Sequence, residues 1–210
     1  MARSRDISRL ITTPPSIYTT DGELSSGGYL TNSSASAIYA TIESVGEGSA
    51  GGLTLINTTS FSAVSAASFP DGTFSSTYKN YRILVNMTGA GGTLYGRLRV
   101  GGSDNTSSVY QIQRLEASGS STPSAYNSGN TNVWDDFGNI RTIPRPISAD
   151  LFQPFEATPT SFSHVVITGT AATLMSVVGY HSASTSFDSF SIIASSGTIT
   201  GTMSAYGYEI

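Results

Sequence analysis

From Leu53 onward, short runs of β-branched and aromatic residues recur between turn signals at about 8–12-residue intervals, the pattern of an all-β sandwich or barrel. It predicts strands near 53–58, 60–68, 80–87, 94–100, 109–116, 131–135, 147–152, 161–168, 173–180, 187–194 and 198–208. Turn chemistry falls between them at Pro70-Asp71-Gly72, Gly89 to Gly92, Gly101 to Asn105, Ser118 to Gly129 and Ser195 to Gly197. Alternation is clearest at 94–100, where Leu94, Leu98 and Val100 share one face and Tyr95, Arg97 and Arg99 the other. No long helix-period segment competes. The expected fold is an antiparallel β-sandwich, jelly-roll-like, over residues 51–210.

The last strand differs in kind. Ile199, Met203 and Ala205 take one face, while Thr198, Thr200, Thr202, Ser204, Tyr206 and Tyr208 take the other. Thr and Tyr suit cross-strand pairing on a solvated or interfacial face, so this face reads either as a subunit seam or as a wet surface.

Residues 1–50 follow another pattern. Nine of these 50 residues are Leu, Ile, Val or Phe, against 37 of the following 160, which puts the first stretch on the disordered side of the compositional boundary. Arg3, Arg5 and Arg9 precede a stretch with no Lys or Arg until Lys79. Ile7, Leu10 and Ile11 fall at helical spacing, and Thr12-Thr13-Pro14-Pro15 stops the turn. One or two turns of helix are not stable alone in water, so this tip either orders against a partner or is a frayed terminus. Arg3, Arg5, Ile7, Arg9, Leu10 and Ile11 are the candidate anchor. The glycine-punctuated stretch that follows is a tether of about 40 residues, able to reach roughly 130 Å when extended.

Composition sharpens this division. Charged residues make up 11% of the chain and the net charge is −4. Hydroxyls take the place of charge, with 36 Ser and 26 Thr among 210 residues. One Lys and an acidic balance leave no electrostatic footprint for nucleic acid. The absence of Cys removes disulfides, thiolate catalysis and Cys-based zinc sites. No apolar run approaches a membrane span, so no membrane insertion is expected.

Candidate chemistry is sparse. Nucleophilic catalysis by Ser needs a base with its orienting acid; only His164 and His181 are present, on strands flanking one predicted turn where a hairpin would bring them together. Asp135-Asp136 beside Trp134, the only Trp, is the one adjacent acid pair. On a strand the two carboxylates point to opposite faces; in a loop they would hold a cation or a sugar stacked on Trp134. Arg82, Arg97, Arg99 and Arg114 fall on three consecutive predicted strands with Tyr95 and Tyr110 nearby. Aligned, they make a cationic patch for an anionic polysaccharide; otherwise they pair with acids. Tyr95, Arg97, Arg99, Trp134, Asp135 and Asp136 are therefore the candidate glycan-binding residues. No catalytic residue, metal site or cofactor is expected.

Four segments carry a resemblance. The stretch from Ser60 to Val85, with Phe69-Pro-Asp-Gly72 and Tyr78-Lys-Asn-Tyr-Arg82 inside it, is one. The others are Leu98-Arg-Val-Gly-Gly-Ser-Asp-Asn105, Asp150-Leu-Phe-Gln-Pro-Phe155 and the stretch from Ser186 to Tyr208. Together they resemble a module in tail-fibre-like virion structural proteins of tailed bacteriophages, especially those of cyanobacteria and marine bacteria. The resemblance implies a virion location and a structural role. It fits a short tail fibre, expected to be a homotrimer, that attaches to other virion proteins through residues 1–50 and displays its sandwich to the host. A capsid decoration or head-fibre protein and a polysaccharide-binding or depolymerising module are the alternatives.

Overall fold

The computed structural model describes residues 52–119, 122–144, 146–168 and 173–209, with the backbone alone for 167 and 168. Contacts divide the chain into Met1–Ala50 and Gly51–Ile210, and the described residues belong to the second unit. The expected arm and helical tip, with Arg3, Arg5, Ile7, Arg9, Leu10 and Ile11, lie outside the described residues.

In chain order the strands are β1 (Leu53–Val64), β2 (Ala66–Ser68), β3 (Asn80–Gly89), β4 (Gly92–Val100), β5 (Ser103–Asp104), β6 (Tyr110–Ser118) and β7 (Ser124–Thr131). They continue as β8 (Trp134–Ile140), β9 (Ile147–Phe152), β10 (Thr160–Thr168), β11 (Thr173–His181), β12 (Ser189–Ala194) and β13 (Ile199–Tyr208). Eight form one sheet in the order β1-β13-β3-β9-β10-β11-β6-β7; β2-β12-β4-β5 form a second, with β8 also paired to β4. Every pairing is antiparallel. The described unit is thus an all-β antiparallel sandwich.

Period-two burial builds both layers. On β3, Tyr81, Ile83, Val85 and Met87 are buried, and on β13 Ile199, Met203 and Ala205 are buried. The aromatic centre joins the two sheets: Trp134 meets Phe162 at 4.6 Å between ring centroids, Phe137 meets Phe162 at 5.3 Å and Tyr110 meets Trp134 at 5.3 Å. Edge and tilted contacts of this kind add to the burial of apolar area.

The elements differ from expectation in three places: β1 runs unbroken through 59 and leaves only the short β2 of the predicted strand 60–68, β5 falls inside the turn expected over Gly101 to Asn105, and the region 118–135 is divided differently. A single strand at 131–135 and a turn over Ser118 to Gly129 were predicted; β7 and β8 occupy that region instead. β7 is an edge strand paired only to β6, mostly exposed along its length, so it needs no apolar alternation to be read. β8 carries two adjacent Asp that break the apolar pattern, and the structure pairs one of them internally. Val100, expected on the buried face with Leu94 and Leu98, is 42% exposed where β4 runs out.

Gly179 on β11 directly opposes Phe162 on β10. A Cβ at this position would come within 1.9 Å of the Phe162 ring, so the missing side chain is the space that the ring occupies. Gly179→Ala is expected to destabilise the sandwich by about 2 kcal/mol through overpacking. Chemical denaturation of the two proteins would check this, and an unchanged midpoint would show that the Phe162 ring is free to move aside.

Candidate functional site

The two histidines do not converge. His164 opposes Val177 and His181 opposes Thr160 across the β10–β11 ladder, so they stand at different levels of the sheet. His164 points into the core, stacked with Phe162 and edge-on to Phe137, and neither ring nitrogen has a hydrogen-bond partner. Burial pulls its pKa down to about 4, weakly opposed by the backbone of Phe137. His181 is fully buried against Tyr110 and Phe187, and burial lowers its pKa too. Neither imidazole faces a nucleophilic hydroxyl within hydrogen-bonding distance. Among the described residues, no group of three or more His, Asp or Glu is placed to hold a metal ion.

The four arginines part company. Arg82 lies on the outer face of the eight-stranded sheet, Arg97 and Arg99 on the outer face of the smaller one, and Arg114 on the inward side of β6 near the sheet's β7 edge. They form no common cationic patch, because strand order in space does not follow strand order in sequence: β3 and β6 are in the large sheet and β4 in the small. Each has an acid instead. Arg99 reaches Asp104 at 2.5 Å and the Gly102 carbonyl at 2.6 Å; Arg97 stands 3.7 Å from Asp104 and donates to the Asn132 carbonyl at 2.9 Å. Ser191 donates to the same Asp104. Tyr95, half-buried, continues this outer ladder along β4.

The acidic pair is likewise resolved. Asp136 is buried and paired with Arg114, which also stands 3.4 Å from Glu116 and over the Tyr126 ring. Burial pushes the Asp136 carboxyl up, ahead of the Arg114 cation that pulls it down. Asp135 receives the Tyr126 hydroxyl at 3.3 Å. Trp134 is fully buried and donates its indole N–H to the Tyr180 carbonyl at 3.2 Å. It presents no face on which a sugar could stack. The expected glycan set therefore falls into an outer ladder of Tyr95, Arg97 and Arg99, a corner where Asp136 is ion-paired and Asp135 hydrogen-bonded to Tyr126, and a core tryptophan.

A third feature was not anticipated from the sequence. Directly paired residues of antiparallel strands share a face, so the register places Arg82, Asp150, Ser163, Val178 and Gln113 in one row across the outer face of the large sheet. Arg82 holds Asp150 through two bonds of 2.8 and 3.1 Å, and the Tyr208 hydroxyl donates to the same carboxylate. Burial alone would raise the Asp150 pKa, but these bonds and the nearby cation outweigh it and hold the carboxyl below its usual range. Around this pair stand exposed Val165, Leu174, Val178, Tyr180 and Leu115. A hollow of about 380 Å³ opens between Val165 and Val178, over Ser148, Ser163 and Ser176. The signal was available in Thr173–His181: Leu174, Met175, Val177, Val178 and Tyr180 make it apolar on both faces, as in a strand covered on both sides.

No protein-family model matches this sequence, and no curated protein matches it. Among the described residues, no helix is long and apolar enough to cross a membrane.

A stability effect follows from His164. The unfolded imidazole titrates near 6.5 and the folded one near 4, so the unfolded chain takes up the proton first. Stability is full above pH 6.5 and falls as pH drops toward 4, by about 3 kcal/mol. His164→Phe is expected to remove most of this slope, His181 keeping a remainder of the same sign. Unfolding midpoints at pH 4.5 and 7 would show it; parallel curves for both proteins would mean that His164 is protonated in place.

Proposed function

We propose that the protein is a non-enzymatic structural component of a tailed-phage particle, a short tail fibre. In this reading the arm, residues 1–50, docks its helical tip on another virion protein, and the jelly-roll-like sandwich is the displayed body. One observation carries it: Arg82, Arg97, Arg99 and Arg114 are engaged in internal pairs, while a whole sheet face is left apolar and hydroxyl-bearing, a surface suited to assembly rather than to chemistry. Docking of the tip couples folding to binding. A protein lacking residues 2–12 is expected to stay soluble and folded yet fail to join particles in an assembly assay. If it assembles like the full chain, attachment through the tip is wrong. Incorporation at high copy number in heads would instead support the capsid-decoration alternative.

The outer ladder of the small sheet favours a second reading, polysaccharide binding. Tyr95 and Arg97 stand on the same face there, with Asp104 and Ser191 supplying further polar groups. Binding to an array of anionic glycans, lost in Arg97→Ala with the fold intact, is the result this reading requires; an array without any bound glycan removes it.

A further inference from the structure

We propose that the outer face of the eight-stranded sheet is the surface through which copies of this chain bind one another. The inference rests on the assembly reading above and names its first partner.

The distribution of apolar side chains is the starting point. Of the eleven large hydrophobic residues that are exposed among the described residues, only Val100, Tyr126 and Ile143 lie elsewhere. The other eight share this face, as the register requires. β11 is buried at every second residue, from Thr173 to His181, yet its exposed positions are Leu174, Ser176, Val178 and Tyr180. Sequence of that kind belongs to a strand with both faces covered, and the sandwich covers one.

Charge points to a second copy rather than to a partner of opposite sign. The only charged residues at outward positions of the eight strands are Arg82 and Asp150, and these satisfy each other. Two copies meeting here bring no unpaired charge and no net repulsion, and the face offers no excess charge to a cationic or anionic partner. The outward Lys and Glu that commonly protect an exposed sheet are missing.

Size and relief agree. Eight strands at about 4.8 Å spacing and nine residues at about 3.3 Å each give a face of roughly 1,000 Å². A stable interface takes about 800 Å² from each partner. Val178 stands between two hollows, one of about 380 Å³ beside Val165 and one of about 180 Å³ beside Gly179 and Tyr180. A ridge flanked by hollows on the same patch is the self-complementary relief that a contact between identical surfaces needs.

The test uses the full chain. Light scattering across a dilution series is expected to give a dimer through this face, and Leu174→Asp/Val178→Asp a monomer with an unchanged circular dichroism spectrum. Since the chain has no cysteine, Val178→Cys supplies a milder probe. Its thiol is expected to react with maleimide several-fold more slowly than one at Ile143→Cys, a position 69% exposed and off this face. A monomeric wild-type chain, a multimer that survives the double substitution, or equal labelling of the two thiols would each overturn the proposal. A chain that multimerises through another surface and still enters particles would refute this inference while leaving the virion role standing. Failure of the full chain to enter particles would do the reverse.

Discussion

The sandwich depends on how the rings of its two sheets close over positions that have no side chain. Phe162 fills the space above Gly179, and Trp134, carried by β8, packs against Phe162 while its N–H reaches the Tyr180 carbonyl next to that glycine. Three strands are thereby fixed at one point: β10 and β11 in register, and β8 against both. Phe137, Phe190 and Tyr110 build outward from it. His164 is drawn into the same layer as a neutral ring, with apolar contact replacing the hydrogen bonds it would have in water.

Much of the fold was legible because burial in an antiparallel sandwich writes itself into alternate residues. β3, β4 and β13 announce themselves in that way. β7 did not, since an edge strand paired on one side has no apolar face to display, and Gly129 and Asn130 at its end read as loop. β8 was blurred by Asp135 and Asp136, the second of which belongs to a partner, Arg114, that lies about twenty residues upstream in sequence and in the other sheet. Pairings of that range are invisible to local pattern. The same limit applies to the expected arginine patch: adjacency in sequence placed Arg82, Arg97 and Arg114 side by side, and the crossing of strands between layers separated them. Tyr95, Arg97 and Arg99 were read correctly as one face, because a single strand determines it.

Scarce charge also changes what each charged group can do. Asp104 serves Arg97, Arg99 and Ser191 together, and Arg114 is shared by Asp136 and Glu116. These groups brace turns and sheet edges rather than keep the surface wet, a task that passes to Ser and Thr. Hydroxyls bond to water or to a neighbouring hydroxyl with little desolvation cost compared with ions. Thr58 and Ser204, in contact across β1 and β13, show how such a face satisfies itself.

The closed triangle of Arg82, Asp150 and Tyr208 sets a consequence for the medium in which the protein works. Because that carboxylate has its cation within the same copy, contact made over this face gains nothing from long-range attraction and loses nothing when dissolved salt shortens the reach of charge to a few ångströms. Whatever rests on the large sheet is held by the exclusion of water from Val, Leu and Tyr, which excluded salts strengthen rather than screen. Such an assembly would lose no hold on passing from fresh water to brine.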